Sequence, residues 1–116
     1  MTPEMKQAWL DDLKSGEYKH GKHYLGHKDR FCCLGVLCRT IETKFPDLLG
    51  DQFNVEEDPN GDVRVSIGDE SFWQYSLPSE MLQVVGLTHV SADTLMSLND
   101  ESNNYNSAID YIERNL

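Results

Sequence analysis

The side chains best able to bind a metal ion or attack a substrate are concentrated in one short part of this 116-residue sequence. Three of the four histidines and all three cysteines lie between His20 and Cys38. Imidazole and thiolate are good zinc donors, and four of them could form a tetrahedral site. The spacing argues against zinc, because there is no C-x-x-C pair and the adjacent Cys32 and Cys33 would point about 100° apart on a helix. We therefore predict no metal site and no other cofactor, with the cysteines packed as small core residues.

A cysteine nucleophile is the second chemistry that this stretch could support. It requires a pKa lowered by a helix N-terminus or by a nearby cation. Cys32 or Cys33 could lie in the first turn of a helix, beside Arg30 and His27. The sequence identifies no base with an orienting partner, which such a nucleophile also needs. A buried thiol is therefore the favoured interpretation.

Acidic pairs and runs are the third group of candidates, at Asp11–Asp12, Glu56–Asp58, Asp69–Glu70 and Asp100–Glu101. None lies in an apolar stretch that would raise a carboxyl pKa for acid–base catalysis. The sequence also lacks the glycine-rich phosphate loop, the dinucleotide-binding fingerprint, the serine nucleophile elbow and the H-E-x-x-H zinc motif. We therefore predict no catalytic residue.

The segment from Tyr18 to Arg30 is the best candidate for a ligand site. Its cations accompany a single acid, Asp29. Lys and Arg donate to phosphate oxygens, glycine backbone can approach a ligand closely, and aromatic rings stack on bases. We predict that a phosphate-bearing or nucleotide-like ligand binds to these residues: Tyr18, Lys19, His20, Lys22, Tyr24, Lys28 and Arg30. The alternative is that the cations pair with acids from the rest of the chain.

Two polar residues nearer the C-terminus complete the predicted site. Asn99 and Asp100 follow a leucine-rich turn that could present them at a junction between helices. We expect their side chains to hydrogen-bond to the ligand that the loop holds.

The charge is distributed very unevenly along the chain. The net charge is −10, but residues 1–44 carry eight of the ten Lys and Arg and six acids, for a net charge of +2. Residues 45–116 carry the other two cations and fourteen acids, for a net charge of −12. This balance argues against duplex DNA and anionic membranes as partners, because both would be repelled. It also raises a second hypothesis, in which the acidic part imitates DNA and occupies a host nucleic-acid-binding protein.

Hydrophobic periodicity and turn residues predict the elements that would position these side chains. Thr2 and Pro3 begin a first helix that ends near Gly16. Residues 31–44 form a second helix, which is apolar all round in its first half and is therefore central and buried. A glycine inside that helix, Gly35, predicts a close contact with another part of the chain or with a ligand.

The rest of the chain is expected to form a small sheet and further helices. The turn signal DPNG at residues 58–61 separates two alternating segments and predicts a hairpin. The other predicted elements are a loop at 17–30 with an extended piece at 24–25, a third strand near 72–75, and helices at 78–86, 91–98 and 105–116, the last capped by Asn103 or Asn104. We therefore predict one α+β domain over residues 1–116, with helices packed on a small antiparallel sheet.

The sequence also bears on the compartment. It begins without the basic and apolar segments of a secretory signal, and its longest uncharged apolar run, Phe31–Cys38, is too short to span a bilayer. We therefore expect a cytoplasmic protein whose cysteines are reduced.

Four stretches resemble a group of short bacteriophage and prophage proteins that has no established activity. The most specific stretch is FCCLGVLC at residues 31–38. The others are a tryptophan helix followed by Ser-Gly-x-Tyr at 15–18, Leu-Pro before a short helix at 77–78, and LMSLND at 95–100 before an isoleucine-rich last helix. Residues 47–76 lie outside the resemblance, and His20 stands where the group's pattern has Gln. The resemblance implies a protein made in an infected bacterial cell, where small phage proteins often interfere with host machinery.

These observations predict a phage-encoded, non-enzymatic binding protein that acts against host defence in the host bacterial cytoplasm. It would sequester a small anionic ligand, such as a nucleotide-type immune signal, in the loop of residues 18–30. Such a protein is expected to be a homo-oligomer with pockets between subunits. The first alternative is the acidic inhibitor of a host nucleic-acid-binding or defence protein, and the second is a cysteine- or metal-dependent enzyme.

Overall fold

The computed structural model describes residues 1–48, 50, 53–67 and 72–116, and it has the α+β architecture predicted from the sequence. Its described helices are α1 (Pro3–Lys14), α2 (Cys33–Lys44), α3 (Ser79–Val85), α4 (His89–Asp100) and α5 (Asn106–Asn115). Its described strands are β1 (Lys19–His20), β2 (Gly26–His27), β3 (Arg30–Phe31), β4 (Phe53–Glu57), β5 (Val63–Ile67) and β6 (Phe72–Trp73). None of the described helices is long and apolar enough to cross a membrane.

Helix α1 begins as its sequence predicts. The Thr2 hydroxyl accepts a hydrogen bond from the backbone N–H of Met5 at 3.2 Å, which satisfies one of the free donors of the first turn. The apolar stripe of the helix is buried, and Trp9 at its centre is fully covered. The Trp9 indole N–H donates to the carbonyl of Cys33 at 2.9 Å, so α1 is fixed against the start of α2.

Helix α2 is the buried central helix, but it begins two residues later than predicted. Arg30 and Phe31 form β3, which pairs with β1 on one side and β2 on the other, so their backbone groups are used in a sheet. Cys32 is the N-cap, and its sulfur accepts from the N–H of Gly35 at 3.4 Å. The absence of a side chain at Gly35 has the predicted cause, because a Cβ there would lie 1.8 Å from the carbonyl oxygen of Leu25.

The described strands form two small three-stranded sheets. In the first, β3 lies between β1, which is parallel to it, and β2, which is antiparallel. The sequence placed an extended piece at residues 24–25, whereas the strand is at 26–27, since pieces this short have no periodicity to read. The second sheet is the predicted hairpin of β4 and β5, with β6 added antiparallel to β5.

Helix α4 packs against α2, while α3 and α5 pack against α4 and α5 also contacts α1. Gly86 ends α3 in a left-handed conformation (φ 78°), as predicted. Helix α4 is longer than predicted, because Thr88 caps it and His89 and Val90 already belong to its first turn. The core includes Met5, Trp9, Leu13, Leu25, Leu34, Leu37, Ile41, Val65, Met81, Leu95 and Ile112.

Helix α5 also holds the first sheet in place. The N-cap of the helix is Tyr105 and not Asn103 or Asn104 as predicted, although the N–H of Asn106 donates to the side chain of Asn104 at 3.0 Å. The hydroxyl of Tyr105 lies 2.6 Å from the carbonyl of Phe31 and 3.1 Å from the carbonyl of Lys19. Burial raises the pKa of Tyr105, so the hydroxyl stays protonated and acts as a donor to β3.

Candidate functional site

The loop between α1 and α2 encloses a small cavity. The cavity has a volume of about 140 Å³, and its walls are Gly21, Lys22, Tyr24, His27 and Arg30. Two of its walls, Lys22 and Arg30, are permanently cationic, and side chains of this kind are suited to binding an oxyanion.

The loop cations are not neutralised by the acids of the described chain. Lys19, Lys22, Lys28 and Arg30 form no ion pair within 4.0 Å of any described carboxylate, whereas five of the six cations elsewhere do: Lys14, Arg39, Lys44, Arg64 and Arg114. The guanidinium of Arg30 donates one hydrogen bond, to the carbonyl of His20 at 3.3 Å. Within the described residues, the alternative raised from the sequence, in which these cations pair internally, is not what the geometry shows.

One histidine of the cavity is held by a carboxylate. The Nδ1–H of His27 donates to the carboxylate of Asp62, which lies in the turn between β4 and β5. Neighbouring backbone contacts hold the same turn against the loop, since the N–H of Lys28 donates to the carbonyl of Gly61 at 3.0 Å. The hairpin therefore fixes the ring of His27 and directs its Nε2 away from Asp62.

A row of aromatic rings extends from His27. The ring of Tyr24 stacks on that of His27 with centroids 5.3 Å apart, and the ring of Tyr75 lies 5.1 Å from that of Tyr24. The backbone N–H of Leu25 donates to the carbonyl of Gln74 at 2.7 Å, so Tyr75 is anchored beside the loop. The structure thus joins an aromatic row to a cationic cavity.

Three residues of the loop have a left-handed backbone without being glycine. The φ angles are 72° at His23, 49° at Lys28 and 67° at Asp29. Each such residue costs about 1 kcal/mol or more, and the surrounding structure must hold it. At His23 this is done by the carboxylate of Asp100, which accepts from its backbone N–H at 2.9 Å.

Asn99 ties the loop to the helices. Its side chain is fully buried, with Oδ1 accepting from the N–H of Cys33 at 3.0 Å and Nδ2 donating to the carbonyl of Gly21 at 2.9 Å. Its own carbonyl accepts from Nε2 of His20 at 3.0 Å. Asn99 therefore positions the loop, and its amide is not turned toward a ligand.

The predicted site residues divide into three groups. Lys22, Tyr24 and Arg30 line the cavity, while Asn99 and Asp100 support the loop from beneath. Lys19 and Lys28 are exposed on the same loop but are not among the residues that line the cavity.

Tyr18 and His20 belong to a neighbouring surface. Both line a separate cavity of about 380 Å³ together with Tyr105. Tyr18 packs edge-on against Phe31, with centroids 5.5 Å apart. Burial lowers the pKa of His20, while its hydrogen bond to the Asn99 carbonyl opposes the shift, so this ring is mainly neutral.

Three residues of the candidate site are not among those predicted for it from the sequence. His27 is considered there only as a possible metal ligand and as a cation beside the cysteines, and Asp62 and Tyr75 are not selected. The DPNG turn signal predicted the hairpin that carries Asp62, but no local pattern indicates that its turn packs on the loop. Among the predicted residues, the acidic pair Asp69–Glu70 lies outside the described part of the chain.

The cysteines have the properties of core residues. All three are free and fully buried, and burial raises the pKa of Cys32 to about 11. Burial also raises the pKa of Cys33 and Cys38. A nucleophile needs a thiolate, so this environment argues against the cysteine enzyme. Among the residues that the structure describes, no three His, Cys, Asp or Glu side chains are grouped to hold a metal ion.

The fold and the loop together define a small α+β domain with a cationic, aromatic-walled site. All of residues 1–116 match the model of a family described as a domain of unknown function, DUF8296, and the chain belongs to this family. No curated protein and no solved structure matches the chain.

Proposed function

We propose that this protein binds a small, phosphate-bearing anion in the cavity of the loop without transforming it. The observation that carries the proposal is the set of loop cations without a described carboxylate partner, in a chain with twenty acids and ten cations. In such an acidic protein, cations that remain free around a cavity are positioned for an external anion.

The chemistry of the walls fits a phosphoryl group. The guanidinium of Arg30 has a planar set of N–H donors, of which one is used by the His20 carbonyl. Lys22, which also lines the cavity, adds a compact charge, and the backbone of Gly21 packs closely on Arg30. Charge-assisted hydrogen bonds of this kind are among the strongest polar contacts available to a binding site.

The biological role that we propose follows from the resemblance to phage proteins. Capture of a nucleotide-type immune signal in the host bacterial cytoplasm would counter host defence by sequestration. We also propose that such a sponge is a homo-oligomer with pockets between its subunits. The buried thiols support binding as opposed to cysteine catalysis.

The proposal is tested by NMR titration of the full chain with inorganic phosphate. We expect saturable shifts of the backbone amides of residues 21–30, because the anion would contact their side chains and backbone. Arg30→Glu should abolish these shifts, since it reverses one of the two fixed charges of the cavity. Lys22→Ala should weaken binding.

The matched control is Arg114→Glu, which makes the same charge change on α5, where Arg114 pairs with Asp110 at 3.0 Å. It should leave the titration unchanged. Equal loss of the phosphate-induced shifts in both variants would indicate only a general charge effect and would contradict binding in the cavity. An unchanged titration in Arg30→Glu would also overturn the proposal and would favour the acidic inhibitor.

A further inference from the structure

We infer that the ligand is a mononucleotide-type molecule whose phosphoryl group occupies the loop cavity while its base stacks on the exposed ring of Tyr75. This inference rests on the proposed function, since it uses the same cavity. It adds a second contact surface and the chemical class of the ligand's other half.

The chemistry of the cavity walls is the first step. The cations Lys22 and Arg30 line a space of about 140 Å³ and are suited to a phosphoryl group. We expect the rest of a larger ligand to continue from the opening of the cavity along a neighbouring surface. Binding energy for that part has to come from a surface that is already exposed and already positioned.

The aromatic row provides that surface. Tyr24 is both a wall of the cavity and the neighbour of Tyr75, so the row leads from the cationic space outward. Tyr75 is 56% exposed, and it is the one exposed tyrosine of the chain, all five of which are described. An exposed tyrosine ring can stack on a base of any sequence, because every base has a π-face.

The position of Tyr75 is fixed before a ligand arrives. The hydrogen bond from Leu25 N–H to the Gln74 carbonyl joins its segment to the loop, and the centroid distance of 5.1 Å joins its ring to Tyr24. A site that is already ordered loses little conformational freedom on binding. The two contact surfaces are therefore presented together.

The charge of the chain restricts the ligand to a short one. A net charge of −10 repels a long polyanion, whereas one phosphoryl group adjacent to Lys22 and Arg30 is attracted locally. One small cavity lined by two cations and one exposed tyrosine ring correspond to one phosphate and one base. A mononucleotide is the ligand class that matches this arrangement.

The test compares three probes by isothermal titration calorimetry: inorganic phosphate, adenosine and adenosine monophosphate. We expect the monophosphate to bind more tightly than either of the other two, because it alone reaches both surfaces. Tyr75→Ala should weaken monophosphate binding about tenfold and leave phosphate binding unchanged. Tyr75→Phe should bind like the natural chain, since the ring is retained.

The control is Val90→Ala, which shortens another exposed apolar side chain on α4 and should alter none of the three affinities. Retained monophosphate affinity in Tyr75→Ala overturns the inference, and so does equal binding of phosphate and monophosphate by the natural chain. Phosphate binding that still depends on Arg30 would show in either case that the proposed function stands. If the natural chain does not bind phosphate, both this inference and the proposed function are overturned.

Discussion

At the scale of single residues, Asn99 holds the loop of the candidate site in place through hydrogen bonds to backbone groups. Its amide uses both ends, since Oδ1 accepts from Cys33 and Nδ2 donates to Gly21. The sequence placed Asn99 in the site for a different reason, as a polar residue presented at a helix junction. Polarity alone does not distinguish a residue that faces a ligand from one that satisfies buried backbone groups.

Substitution of Asn99 should therefore lower stability more than its side-chain size suggests. Asn99→Ala leaves the buried N–H of Cys33 and the carbonyl of Gly21 without their partner. The expected loss is about 1–3 kcal/mol in the free energy of unfolding, measured by urea denaturation. Asn103→Ala, at an exposed position in the next turn, should change the same quantity by less than about 0.5 kcal/mol. Equal effects of the two substitutions would argue against the positioning role.

At the scale of elements, the site depends on the crossing of the loop over α2. The sequence predicted a close contact at Gly35 because glycine is unfavourable in an apolar helix. It could not identify the partner, since the carbonyl of Leu25 approaches from a loop whose strands have two residues each. Long elements such as α1 were predictable because their periodicity repeats over several turns, and β1, β2 and β3 were not.

Gly35→Ala tests this crossing. Helix propensity alone predicts a gain of about 1 kcal/mol, but the new Cβ would lie 1.8 Å from the Leu25 carbonyl oxygen. Backbone cannot rotate away as a side chain can, so we expect the steric cost to exceed the gain and stability to fall by about 1–3 kcal/mol. Urea denaturation measures it, and Ser97→Ala on an exposed face of α4 is the control. A more stable Gly35→Ala variant would show that the loop does not press on α2.

At the scale of the whole molecule, the charge map separates a cationic loop from an acidic remainder. Composition established this separation correctly, because charges can be counted without a fold. Which cations stay free could not be counted, since pairing depends on distances across the chain. Lys14 and Lys44 have carboxylate partners at 2.9 Å, whereas Lys22, which lies between them in the sequence, has no such partner among the described residues.

This charge map predicts that the protein does not bind duplex DNA. The net charge of −10 should repel the duplex most strongly at low salt, where screening is weakest. A gel-shift titration at low ionic strength should therefore show no complex. A retarded band that disappears as salt is added would contradict the prediction, because it would show that the cationic loop outweighs the acidic remainder.

The bond between His27 and Asp62 joins the loop to a hairpin turn that lies far along the chain. The placement of one wall of the cavity, the ring of His27, consequently requires both segments to be folded. A peptide copied from the loop would lack that support, and the nascent chain would acquire the site late in its synthesis. Occupancy and folding become linked equilibria, so any bound anion must raise the melting temperature of the entire domain.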